Sequence, residues 1–126
     1  MTADAPVLLD TNDQGVLTIR LNRPDRLNAL ILDSVQQVRR AIEDAQTNDA
    51  VRAIVLTGDD RSFSSGADLQ AKAEAKAAGI EEPGSLLDDA NEIVMALRDS
   101  TVPSVAAVNG AAAGVEIGRA SCRERV

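Results

Sequence analysis

The order strand, helix, strand in the first half of the chain constrains the fold more than any other feature. "GVLTIRL" is a short β-prone run, "LDSVQQVRRAIEDAQTND" has helical periodicity, and "VRAIVLTG" is a second β-branched run closed by Gly58. Val35, Val38, Ile42 and Ala45 recur at three- and four-residue spacing and give the helix one apolar face. Asp33 is placed to cap it, with Gln36 three residues on in a capping-box arrangement. Two strands joined through a helix need a crossover, which is right-handed and pairs them in parallel. The expected class is α/β.

The flanking segments extend this plan. "PVLLDT" and "GVLTIRL" surround "NDQG" and read as a β-hairpin. "NRPDRLNAL" is an Arg- and Asn-rich connection broken by Pro24. "DDRSFSSGADL" reads as a loop that turns into a helix. "QAKAEAKAAGIEEPG" has high helix propensity and little apolar periodicity, the mark of a solvated, mobile segment. "SLLDDANEIVMALRDS" is an amphipathic helix, with Ser85 and Asp88 as its N-terminal box and Leu86, Leu87, Ala90, Ile93, Val94 and Leu97 as its face. "TVPSVAAVNG" is a further strand, and "AAAGV" is expected to turn into another helix. One β-β-α unit is complete on this reading, and a second begins.

At 126 residues the chain is one domain or part of one. A net charge of −7 disfavours nucleic-acid backbones. One Phe and no Trp or Tyr provide neither a base-stacking platform nor an interfacial aromatic belt. Histidine is absent, which removes Ser-His-Asp and Cys-His machinery and His-based metal sites. A single Cys makes neither an internal disulfide nor a four-Cys zinc site. No apolar run approaches about 20 residues, and "MTADAP" has no signal-peptide pattern. The expectation is a cytoplasmic protein with no membrane, nucleic-acid or metal partner.

Chemistry concentrates at two glycine-bearing turns: "SSGAD" after residues 54–57 and "NGAAAG" after residues 105–108. In open α/β sheets, ligands gather at the carboxyl ends of strands. Each turn is placed to present backbone N–H groups at a helix start, where the dipole favours negative charge. Two such donors converging on one point make an oxyanion hole. The plain alternative is that both glycines serve their turns alone. The phosphate-loop and dinucleotide glycine patterns are missing, and "SFSSGAD" is not a Gly-x-Ser-x-Gly elbow.

Three runs, "LTIRLNRPDRLNAL", "AIVLTGDDRSFSSGADL" and "VPSVAAVNGAAAGV", together resemble the crotonase superfamily, the enoyl-CoA hydratase/isomerase group. They occur in family order over roughly residues 7–115. The resemblance implies a spiral of β-β-α units, here truncated to its N-terminal half. It implies acyl-CoA thioester substrates, an enolate held by two backbone N–H groups, and no cofactor beyond the coenzyme A of the substrate. By position the donors fall on Ala67, after Gly66, and on Val115, after Gly114. Arg26, Leu27 and Ala29 fall in the family's CoA-contacting loop, with Arg26 either facing phosphates or an ordinary surface arginine. Asp68 and Leu69 fall on the pantetheine and adenine side, with capping of the next helix as the alternative role for Asp68. Phe63 is read as packing. Homo-oligomers, trimers or dimers of trimers, are implied for the parent protein.

The family pattern breaks after Val115. The first catalytic Glu of family hydratases falls on Gly118, the second beyond residue 126, and Glu116 stands where the family prefers glycine. "EIGRASCRERV" has no helical apolar stripe and resembles read-through into a common short-read sequencing adapter, with a natural variant terminus as the alternative. The expected organisation is therefore a partial crotonase-like domain over 1–115 and a non-native tail over 116–126, with no redox role for Cys122. The expected activity of the parent is hydration or isomerisation of an enoyl-CoA. "NGAAAGV" resembles members lacking the first Glu and leans towards isomerisation, and the fragment itself is expected to be inactive. A Clp-like serine protease would need a His that this chain lacks. The rival from another class is a non-catalytic acyl-CoA-binding or interaction protein.

Overall fold

The computed structural model describes residues 4–81 and 84–113. The first strand, β1 (Val7–Thr11), turns through Asn12, whose Oδ1 accepts the amides of Gln14 and Val16 at 2.9 and 3.0 Å. The chain returns as β2 (Val16–Leu21), antiparallel to β1 with Val7 opposite Leu21. Along β2, Leu17, Ile19 and Leu21 are buried while Arg20 is exposed, as the two-residue period of a strand requires. Helix α1 (Leu32–Ala45) crosses over to β3 (Ala53–Thr57), which pairs with β2 in parallel. Later in the chain, β5 (Ser104–Ala107) adds in parallel to the other side of β3. The sheet order is β1-β2-β3-β5.

Val35, Val38, Ile42 and Ala45 of α1 are all buried in one core with Leu17, Ile19, Ile54 and Leu56. Helix α3 (Leu86–Asp99) packs beside α1 and adds Ala90, Ile93 and Leu97 to that core. A polar clamp joins the two helices: Arg39 Nη1 donates to Asp89 Oδ1 at 2.7 Å and Gln36 Nε2 to Asp89 Oδ2 at 3.3 Å. At the far end of α1, Gln46 donates to Ser100 Oγ at 2.9 Å and accepts the Thr101 amide at 3.1 Å, which fixes the turn into β5.

Several sequence expectations change here. Helix α1 begins at Leu32, with Ile31 rather than Asp33 at the N-cap. The Ile31 amide donates to Ser34 Oγ at 3.4 Å, and Asp33 lies in the first turn, where its charge suits the helix dipole. Gln36 is engaged with Asp89 instead of closing a capping box. In α3 the Ser85 cap is as expected, accepting the Asp88 amide at 3.4 Å. Its predicted face is too wide: Leu87 and Val94 are exposed. The charged segment forms α2 (Leu69–Ala77), which buries none of its residues.

"SFS", expected to be loop, is a strand, β4 (Ser62–Ser64), buried throughout. It pairs in parallel with β6 (Ala111–Ala112), where a helix start was expected, in a second small sheet. In chain order β1 and β2, then β3 and β4, are thus each followed by helix, and β5 and β6 open a third repeat, with β4 and β6 in the second sheet. Close backbone approach makes this possible. A Cβ on Gly58 would sit 2.6 Å from the Phe63 carbonyl oxygen, and one on Gly110 would sit 2.5 Å from the Arg61 carbonyl. The two glycines that end "VLTG" and "VNG" therefore let β4 lie against both chain reversals. Phe63 is fully buried, as expected of a packing residue, and such burial is worth about 1.5–3 kcal/mol.

Candidate active site

The Arg- and Asn-rich connection after β2 is shaped by its own side chains. A short 3-10 turn (Pro24–Arg26) leads into Leu27 and Asn28, which both adopt left-handed backbone at φ 52° and 55°. That conformation costs an ordinary residue about 1–2 kcal/mol, so the surroundings must impose it. Buried Asn28 accepts the Arg23 amide on Oδ1 at 2.7 Å and donates from Nδ2 to the Ser62 carbonyl at 2.9 Å. Ser62 Oγ donates to the Leu27 carbonyl at 2.8 Å, the Ser65 amide donates to the same oxygen at 3.0 Å, and Ser64 Oγ donates to the Asn28 carbonyl at 2.9 Å. Alternate residues of "SFS" thus tie the connection to β4, while Phe63 between them enters the core.

The pairing continues past β4. Leu30 and Ala67 form a parallel bridge: the Leu30 amide donates to the Gly66 carbonyl at 2.7 Å, and the Asp68 amide donates to the Leu30 carbonyl at 2.8 Å. The Gly66–Ala67 peptide is trans. Its C=O points at Leu30, so the Ala67 N–H, antiparallel to it in the same plane, points away. Among the described residues the Ala67 N–H has no acceptor. Gly66 is buried, at φ 96°, and its amide donates to Ser64 Oγ at 3.1 Å.

Asp68 caps α2, accepting the Ala71 amide on Oδ1 at 2.9 Å, and its Oδ2 accepts from Arg23 Nη1 at 2.9 Å. Arg23 Nη1 also donates to the Ala29 carbonyl at 2.6 Å. The Ala71 amide is the largest influence on the Asp68 carboxyl, and with Arg23 it holds the group below the usual carboxylate range against the opposing effect of burial. Both oxygens are engaged, so Asp68 is built as an anchor, the capping role weighed from the sequence.

A cavity of about 490 Å³ opens beside this peptide, lined by residues 30–32, 67–69, 71, 72 and 84–87. Its walls are the start of α1, the start of α2 and the start of α3. It brings together Ala67, Asp68 and Leu69 of the predicted site, with Leu69 largely exposed. Arg26, Leu27 and Ala29 do not line it. Arg26 borders a separate hollow of about 340 Å³ with Asp4, Asn22 and Asp25, and its Nη1 donates to Gln70 Oε1 at 3.1 Å. Leu27 is partly exposed, and Ala29 is buried with its carbonyl held by Arg23. Gly114 and Val115, like Glu116, Gly118 and Cys122, lie outside the described residues.

The sequence reading missed Arg23, Asn28, Leu30, Ser62 and Ser64 as parts of the site. Asn28 alone carried a usable signal, since Asn tolerates left-handed backbone better than most residues. Among the described residues no cluster of His, Cys, Asp and Glu is arranged to hold a metal ion, and no helix is long and apolar enough to cross a membrane.

Comparison with known proteins agrees with this architecture. The family model for enoyl-CoA hydratase/isomerase matches residues 11–121. A probable enoyl-CoA hydratase of Mycobacterium tuberculosis, echA14, is 40% identical over 110 residues, covering 86% of this chain and 41% of the relative. A 1,2-epoxyphenylacetyl-CoA isomerase of Escherichia coli is 32% identical over 108 residues, covering 85% of this chain and 41% of the relative. Among solved structures, Pseudomonas aeruginosa PA4980 superposes with a TM-score of 0.85 at 35% identity, covering 97% of this chain and 52% of that one. The chain belongs to the enoyl-CoA hydratase/isomerase family of the crotonase superfamily. It spans about two fifths of the length of the curated relatives it matches.

Proposed function

We propose that the protein carrying this chain binds an acyl-CoA thioester and stabilises its enolate, with the Ala67 N–H as one oxyanion donor. The observation that carries this reading is the Ala67 N–H, without an acceptor among the described residues, beside a largely apolar cavity and held in direction by the Leu30–Gly66 bond. When a base removes the α-proton of a thioester, charge moves to the carbonyl oxygen. A preorganised N–H aimed at that oxygen is worth most at this moment, because it needs no reorientation. Val115 is assigned the second donor by resemblance. Arg26, exposed at the neighbouring hollow, is assigned to the phosphates of the coenzyme, with Leu27 and Ala29 shaping that loop.

Residues 1–115 are read as the N-terminal part of a longer homo-oligomeric enzyme, and residues 116–126 as foreign to it. Long-read sequencing of the locus tests this division, and intact coding DNA across residues 116–126 overturns it. The full-length protein is then assayed for hydration of crotonyl-CoA and for double-bond isomerisation. Isomerase-type chemistry is favoured by "NGAAAGV". Binding without either activity supports the second reading, a non-catalytic acyl-CoA-binding protein. One observation favours that alternative: the only carboxylate lining the cavity among the described residues, Asp68, is already engaged on both oxygens and acidified, so it is a poor general base. Failure to bind any CoA thioester removes both readings.

A further inference from the structure

We propose that the acyl group taken by this cavity ends in a carboxylate, with the Lys72 ammonium as its partner; this rests on the reading of the cavity as an acyl-thioester site. Apart from its polar rim, the cavity wall is aliphatic, formed by Leu30, Ile31, Leu32, Leu69, Leu86 and Leu87. Two ionisable side chains line it, Asp68 and Lys72. Their situations differ. The Asp68 charge is spent internally, on Arg23 and the Ala71 amide. Lys72 forms none of the ion pairs found among the described residues, which join Arg23 to Asp68, Arg39 to Glu43 and Asp89, and Arg98 to Asp99.

Among the described residues, the cavity therefore presents one cation that forms no ion pair with a carboxylate. A wholly apolar acyl chain gains nothing from such a group. For an acyl group ending in a carboxylate it supplies a charge-assisted hydrogen bond. Position along α2 puts Lys72 close to the predicted site. Lys72 lies one helical turn past the Asp68 cap, its amide bonded to the Asp68 carbonyl at 3.2 Å. Three residues of helix separate it from Leu69, a rise of about 4.5 Å. Lys72 also borders an adjoining hollow of about 440 Å³ with Lys76 and Glu81, and it is exposed. It acts on specificity and takes no part in moving the α-proton.

The test compares two probes on the full-length protein by calorimetry: glutaryl-CoA, whose acyl group ends in a carboxylate, and the neutral hexanoyl-CoA, with free coenzyme A as reference. Wild type is expected to prefer glutaryl-CoA by about tenfold, the usual size of a hydrogen bond to a charged group. Lys72→Met should erase that preference, and Lys72→Arg should retain it. Equal binding of the two thioesters by wild type, or a preference for hexanoyl-CoA, overturns the proposal while leaving the acyl-thioester reading intact. It is also overturned if Lys72→Met weakens free coenzyme A and both thioesters alike, since the cation then serves the coenzyme phosphates. If wild type binds none of the three, the acyl-thioester reading falls and this proposal falls with it.

Discussion

The Leu30 amide donates to the Gly66 carbonyl at 2.7 Å, and this one bond sets the direction of the Ala67 N–H behind it. A hydrogen bond to the carbonyl of a peptide also polarises that peptide, making its own N–H a stronger donor. The two ends of the Gly66–Ala67 peptide thus differ: the carbonyl is held by Leu30, and the N–H has no acceptor among the described residues.

Because the two ends differ, they can be separated by mutation. Ala67→Pro deletes the N–H without touching the Leu30–Gly66 bond or the Asp68–Leu30 bond. The full-length variant is expected to fold, as judged by circular dichroism, and to lose about 10²–10³ in kcat in whichever of the two reactions, crotonyl-CoA hydration or enoyl isomerisation, the wild type catalyses. Unchanged turnover in a folded variant would falsify Ala67 as a donor.

Asn28 has two roles that differ in their chemistry. Asn28→Ala removes two side-chain hydrogen bonds, leaves the Ser62 carbonyl without its Asn28 donor and keeps a Cβ at φ 55°. The expected loss is about 3–4 kcal/mol in urea unfolding. Asn28→Gly loses the same bonds but relieves the left-handed backbone, so it should be about 1 kcal/mol more stable than the alanine variant. Equal midpoints for the two variants would show that the backbone strain is not realised.

Asp68 gives a pH signature. Its carboxyl is held below the ordinary value of 3.8, first by the Ala71 amide and then by Arg23. The folded form therefore favours the charged state. The stabilisation is whole above the ordinary carboxylate range and is lost as pH falls through the folded value. Asp68→Asn keeps a side chain able to cap the helix but gives up the ion pair, so it should be less stable than wild type at pH 7. The gap should close as the solution is acidified towards pH 2. A gap that is constant with pH in chemical denaturation rules out the charge as its source.

The glycines beside β4 provide a steric test. Gly58→Ala and Gly110→Ala each drive a Cβ against backbone at 2.5–2.6 Å, where no side chain can swing aside. Each should cost about 3 kcal/mol, at the upper end of overpacking in cores. Gly79→Ala is the control: its φ is +73° but nothing lies within 4 Å, so only the backbone cost of about 1 kcal/mol applies. Similar melting temperatures for all three variants would mean that β4 does not sit against these glycines in solution.

The hairpin, the crossover and the cores of α1 and α3 were legible in the sequence because each declares itself within a dozen residues, by period or by turn chemistry. β4 was not. Three residues carry no usable alternation, and their partner is distant: Ser62 Oγ reaches the Ala111 carbonyl across 49 positions. The start of α1 was misread because the competing local cap at Asp33 is sound by itself. Pairing of Leu30 with Ala67 holds the chain extended up to Leu30, and the helix follows at Leu32. In α3, Leu87 and Val94 fit the apolar period but lie on flanks that nothing in the described chain covers. At the site, glycine marked the 66–67 turn, whereas Arg23 and Asn28 work through partners 45 and 34 positions away. Such pairings leave no local trace.

Those separations have a consequence for the order of folding. Bringing positions 34 and 45 apart into register demands loop closure before any bond repays it. The β1–β2 hairpin needs only a four-residue reversal from Asn12 to Gly15. Sheet nucleation should therefore come early, and the left-handed Leu27–Asn28 corner should set only after β4 has docked. Pulsed hydrogen exchange during refolding checks this: the Ile19 amide should gain protection before the Leu30 amide. The Gly66–Ala67 peptide beside the cavity is then among the last groups to be aimed, and a nascent chain holds its scaffold before that peptide is set.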